Sequence, residues 1–239
     1  MSLPWASLVA DSPRFEQFVF GGSEVTGTDW VPESVRAGAE QFRLPERQLA
    51  QLWWYSFGNS VIAPAVHLMV GYEAIPSLDF SAGRVTREGF WCGFHTEQSA
   101  ESAKAAGAEL AESVAPLIDV LGSTFELRPA PLWALTADAL RQSALEAGNE
   151  NFDPVLGVEV ARDLIAGLGK GAEVDFSAVV DGEIMAFDPS LGDGCFVFAR
   201  RMSCCMVYRS PGSGLCTSCP KRPDARREAD MIALADSAY

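Results

Sequence analysis

The run Arg201–Pro223, RMSCCMVYRSPGSGLCTSCPKRP, decides how the rest of the chain is read. It places Cys204, Cys205, Cys216 and Cys219 within sixteen residues, in the pattern C-C-x10-C-x2-C. The stretch MSLPWASLVADSPRFEQF at the N-terminus has no basic n-region and no sustained apolar core, so no signal peptide is expected. In the reducing cytoplasm that this implies, four neighbouring thiols point to metal ligation rather than to disulfides. A zinc ribbon would use two C-x2-C knuckles. Here one half is a knuckle and the other is two adjacent cysteines, which makes an iron–sulfur cluster the sharper expectation and structural zinc the plainer one.

Spacing narrows the cluster type. Adjacent residues in a regular strand face opposite sides. Cys204 and Cys205 can therefore serve one site only if the backbone there is irregular or each binds a different iron. That favours a two-iron cluster over a cubane without excluding the latter. The intervening Ser210-Pro211-Gly212-Ser213-Gly214 has turn chemistry that folds the two halves together. A Rieske centre needs two histidines. The only histidines, His67 and His95, lie far away in sequence. His67 sits in an apolar helical context and reads as packing, and His95 closes an expected strand. Cys92 and Cys195 have no ligand spacing and read as buried fillers.

In its four cysteines, and in Tyr208, Arg209, Leu215 and Pro220, this run resembles the C-terminal iron–sulfur motif of FhuF-type siderophore-iron reductases, the ferric iron reductase family. The resemblance is strong over about residues 200–222. A fainter one covers Pro45–Leu68, PERQLAQLWWYSFGNSVIAPAVHL, which is similar to the helical region ahead of the strands in that family. It implies a [2Fe-2S] cofactor, a ferric siderophore as substrate, and reduction of Fe(III) to Fe(II) with release of iron in the cytoplasm.

The chain of 239 residues is 48% hydrophobic and carries 14 Phe and 6 Trp, enough for one sizeable core or two small ones and too apolar for disorder. Its formal charge of −14 is unevenly placed: residues 200–239 sum to +3 and the remainder to −17. An acidic body argues against nucleic acid. The basic end reads either as a solvated face or as charge that offsets a thiolate-bound cluster, through Arg200, Arg201, Arg209, Lys221 and Arg222. Of these, Arg201, Arg209, Lys221 and Arg222, together with Tyr208, are candidate contacts to the cluster, substrate or donor. The longest apolar run, Val61–Tyr72, contains Pro64 and His67 and is too short to span a bilayer.

Along the chain a helix is expected from Pro32 to Phe42 and a second from Glu46 to Ser60, on the stripe Leu49, Leu52, Trp53 and Phe57. LDFSAGRVTREGFWCGFH, residues 78–95, alternates around Ala82–Gly83 as a hairpin. Helices follow at Glu97–Leu121, Leu132–Ala147 and Val155–Leu168. Short strands or a Gly-turned hairpin are then expected from Ala172 to Pro189, and residues 190–203 read as an approach to the cysteines. Trp53, Trp54 and Trp91 read as core. The architecture is α+β: residues 1–199 form a helix-rich body that holds the siderophore, and residues 200–239 form the cluster-binding segment.

Gly167-Leu168-Gly169-Lys170-Gly171 follows a helix rather than a strand, so it is not a phosphate loop. With no nicotinamide or flavin site evident, electrons must come from a separate donor: a reduced flavin, a ferredoxin or a flavin reductase. Two other function classes stay open at this point. One is a siderophore-binding module with structural zinc, and the other is an iron–sulfur redox sensor.

Overall fold

The stripe Leu49, Leu52, Trp53 and Phe57 is buried along one helix, and the core assembles around it. The computed structural model describes residues 2–170 and 175–238. It opens with α1 (Trp5–Asp11), α2 (Glu16–Val19) and the short strand β1 (Ser23–Glu24). The single helix expected from Pro32 to Phe42 is two, α3 (Val31–Ala37) and α4 (Ala39–Phe42), hinged at Gly38. A Cβ at Gly38 would lie 2.3 Å from the Phe90 ring, so the bare glycine lets that ring cover the hinge.

Helix α5 (Glu46–Phe57) does not end near Ser60. It passes through a π-helical turn, Gly58–Ile62, into α6 (Ala63–Gly71). Pro64 falls directly after the widened turn, which relieves the clash of its ring with the carbonyl four residues back and lets the helix continue.

The first sheet, in order β1-β2-β3, is antiparallel and pairs β2 (Arg84–Glu88) with β3 (Trp91–His95). Its hairpin turns at Gly89, where φ is +60°, rather than at Ala82–Gly83. Phe80–Ala82 is instead a 3-10 turn capped by the Asp79 side chain, which accepts from the Ser81 amide. Trp53 and Trp54 are buried, whereas Trp91 stands on the outer face of β3 at 37% exposure.

Three long helices follow. α7 (Ala103–Phe125) starts at a Ser102 cap, later than Glu97, because Gln98 is held in bonds to Thr96 and Ser77. α8 (Pro129–Glu150) and α9 (Pro154–Leu168) pack against each other, and α9 against α7. Gly169 has φ +59° and ends α9 as a C-cap, which is the role of this glycine in Gly167–Lys170.

The second sheet, in order β5-β4-β6, is formed by β4 (Phe176–Val180), β5 (Glu183–Ala186) and β6 (Phe196–Ala199). Asp181 and Gly182, both at positive φ, make its hairpin turn. The expected start of that hairpin, at residues 172–174, and Gly171 lie outside the described residues. β6 occupies a stretch that reads in sequence as an approach only. A small core of Leu145, Val158, Ala178, Cys195, Val197 and Ala199 joins this sheet to α8 and α9. The final helix, α10 (Asp224–Ala238), packs on β4 and β5. The fold is α+β, helix-rich with two small antiparallel sheets. Among the described residues no helix is long and apolar enough to cross a membrane.

Candidate metal centre

β6 runs straight into Arg200 and Arg201, so the cysteine segment leaves the sheet over the side of α8. What fixes it there is a buried carboxylate. Asp138, in the middle of α8 and 2% exposed, accepts from the Met202 amide (2.9 Å) and the Ser203 amide (2.9 Å). It also pairs with Arg141 one turn on, at 2.8 Å. A buried charge survives only when paired and hydrogen-bonded, and here that requirement ties the segment to the body. Gln51 of α5 adds a bond to the Cys204 carbonyl (2.7 Å), and Gln142 of α8 one to Ser218 Oγ (3.1 Å). At the loop tip, Ser210 Oγ donates to the Phe42 carbonyl (2.7 Å).

The backbone around the adjacent cysteines is irregular, as a shared site requires. Met206 adopts φ +68°, a left-handed conformation uncommon outside glycine. Its amide lies 3.4 Å from Cys204 Sγ. In the other half, the Cys219 amide bonds to the Cys216 carbonyl (3.0 Å) and closes the C-x2-C knuckle. Cys205 and Cys219 are buried, and Cys204 and Cys216 are partly exposed.

Arg201 is the central cation. It is 2% exposed, donates through Nη2 to the Ser203 carbonyl (3.1 Å) and places Nη1 3.5 Å from Cys216 Sγ. Its guanidinium lies 4.6 Å from the centre of the Tyr55 ring. Burial opposes its charge, but Tyr55, Cys205, Cys216 and Asp138 outweigh that and strengthen its hold on the proton. Cys205 and Cys216 are hydrogen-bonded to each other, which pulls the Cys205 thiol down and pushes Cys216 up. Burial raises Cys204, with the Met206 amide opposing it.

The remaining sequence candidates divide into two groups. Arg222 is structural to the second loop: Nε donates to the Cys216 carbonyl (3.1 Å), Nη2 to the Leu215 carbonyl, and Nη1 pairs with Asp230 of α10 at 2.7 Å. Tyr208, Arg209 and Lys221 gather on the outside. Arg209 Nε donates to the Tyr208 hydroxyl (3.0 Å), and Lys221 Nζ lies 5.7 Å from the Tyr208 ring, so that ring bridges both halves of the segment. His67 is buried against Phe15, and His95 pairs with Glu97 at 2.9 Å; neither belongs to this site. Cys92 and Cys195 are buried elsewhere.

Among the described residues no group of three or more His, Cys, Asp or Glu is arranged to hold a metal ion as it stands. Donor chemistry nonetheless fits a cluster. Four thiols lie in one short segment, a buried guanidinium stands beside them, and Arg201 Nε is a buried donor with no acceptor among the described residues. Sequence reasoning missed Asp138, Arg141, Gln51 and Tyr55. A trace was present for the first two: opposite charges three apart inside the largely apolar LWALTADALR, residues 132–141.

The site is thus a cysteine-rich segment clamped on an α+β body. Residues 201–221 match the family model described as the FhuF 2Fe-2S C-terminal domain, in agreement with the resemblance carried by the cysteines. No curated protein matches the chain.

Proposed function

We propose that this chain is a ferric-siderophore reductase whose [2Fe-2S] cluster is held by Cys204, Cys205, Cys216 and Cys219. Residues 200–239 act as the cluster-binding segment and residues 1–199 as the siderophore-binding body, working in the cytoplasm. The observation that carries this reading is the match of residues 201–221 to a 2Fe-2S domain in a segment that the fold anchors through Asp138 and neutralises through Arg201. When bound, such a cluster supplies single electrons at a potential set by hydrogen bonds to sulfur, nearby charge and exposure.

The chain's own residues set those terms. Arg201 puts a fixed positive charge beside Cys216, and the Met206 amide adds a donor at Cys204. Both favour the more negative, reduced state. Partial exposure of Cys204 and Cys216 leaves a short path outward. In the substrate, one electron converts Fe(III), held by hard oxygen donors, into Fe(II), which those donors hold weakly. Reducing equivalents come from a separate donor of the reduced-flavin, ferredoxin or flavin-reductase class.

The test is single-turnover mixing of the reduced protein with ferric hydroxamate and ferric catecholate chelates, with a chromogenic chelator trapping Fe(II). Wild type, Cys92→Ser and Cys195→Ser are expected to yield Fe(II), and Cys216→Ser none. Reduction by Cys216→Ser at the wild-type rate would contradict the assignment.

A further inference from the structure

A cavity of about 570 Å³ opens beside Cys204, between the N-terminal ends of α5 and α8 and the cysteine segment. Its size falls in the range of small-molecule sites. Its charge is unusual for this protein. Arg47 and Arg128 reach it from the body, Arg209 and Lys221 from the segment, and no Asp or Glu lines it, although the chain as a whole is at −14. Among the described residues none of these four cations is in an ion pair.

Fold stability does not account for them. Arg47 sits in the first turn of α5 and Arg128 is the N-cap of α8, the ends of a helix where positive charge is disfavoured. Neither N-terminus has a side-chain cap. Two helix ends and four cations therefore add up to one positive concavity, whose remaining wall combines apolar side chains (Leu132, Met202 and Met206 among others) with Gln48, Gln51 and Ser203.

We infer that this cavity docks an anionic ferric chelate against Cys204, with Arg47 and Arg128 as its specificity-determining contacts. The inference rests on the proposed reductase reading and refines it: the favoured substrates are chelates with net negative charge, such as tris-catecholates, over neutral trihydroxamates. A half-open concavity of this size, lined by both charge and apolar surface, suits a compact chelate better than the broad face of a donor protein. The cations raise the local concentration of the anion, and Cys204 in the wall keeps the electron's path to a few ångströms.

The test uses gallium(III), which binds the same chelators but is not reduced, so that docking is read without turnover. Affinities of the full-length protein for a trianionic gallium tris-catecholate and a neutral gallium trihydroxamate are measured by calorimetry at low and high salt. The wild type is expected to prefer the trianion, by a margin that shrinks with salt. Arg47→Gln/Arg128→Gln is expected to lose about tenfold or more in trianion affinity, while Arg84→Gln/Arg226→Gln, outside the cavity, matches wild type. The visible spectrum before and after dithionite should be the same in all three proteins. Equal affinity for the two chelates, or an unchanged Kd in Arg47→Gln/Arg128→Gln, overturns the inference. So does an unchanged Kd with slower reduction of the protein by an acidic reduced ferredoxin, which would make this the donor's site. If ferric chelates are reduced in single turnover while these outcomes hold, the reductase reading stands and the docking site alone fails.

Discussion

Arg201 and Asp138 do most of the positioning work at the site, and each makes a separable prediction. Arg201→Met removes the donor to Cys216 Sγ and to the Ser203 carbonyl. Losing charged hydrogen bonds in a buried setting costs about 1.5–3 kcal/mol. Equilibrium unfolding should show that loss, and redox titration should show a lower midpoint potential, since positive charge near the thiolates is gone. Asp138→Ala removes the acceptor of the Met202 and Ser203 amides and the negative partner of Arg141. Breaking a buried pair of this kind costs about 3–5 kcal/mol. Iron content per chain should fall with it, although no cysteine has been touched. The cysteines were legible in sequence because their spacing is itself the chemistry. Asp138 was not, because its role depends on which backbone crosses α8, and that is a tertiary fact.

Among the elements, the tightest seam is between α7 and α9. A Cβ at Gly107 would stand 2.2 Å from the Leu164 carbonyl oxygen, and one at Gly167 1.9 Å from that of Lys104. The helices meet backbone to backbone, with no side chain that could yield. Gly167→Ala should therefore destabilise the fold despite its gain in helix propensity, by about 1–3 kcal/mol from overpacking, with a correspondingly lower Tm. Alanine scanning of exposed α7 positions would show no such loss. The long helices were readable from their apolar periodicity, and their interiors match the expected ranges. Element ends were less so. Gly38 reads as a tolerable helix residue until Phe90 is seen over it, and Ala82–Gly83 looks like a hairpin turn until Asp79 caps it. The two aromatics of β6, Phe196 and Phe198, were too few to signal a strand, and its pairing partner β4 is not its neighbour in sequence: β5 lies between them.

For the molecule as a whole, acid lability should be traceable to His67. Burial, with Arg14 nearby, lowers its pKa from 6.5 to about 3, and the Glu150 carboxylate 3.6 Å away does not reverse this. The folded state therefore binds fewer protons than the unfolded state between these values. Stability contributed by neutral His67 is fully present above pH 6.5 and is lost as pH falls toward 3. The slope is at most about 1.4 kcal/mol per pH unit. Denaturation series at several pH values should show a flatter acid limb for His67→Gln than for wild type; parallel limbs would contradict the assignment. The central claim, that the four C-terminal cysteines hold a two-iron cluster, has a more direct test. Iron, zinc and acid-labile sulfide are counted in anaerobically purified protein, and its visible and EPR spectra are recorded before and after dithionite. About two irons and two sulfides per chain, with visible absorption that bleaches and one paramagnetic signal on reduction, is the expected result. A colourless protein with one zinc and no sulfide would contradict it.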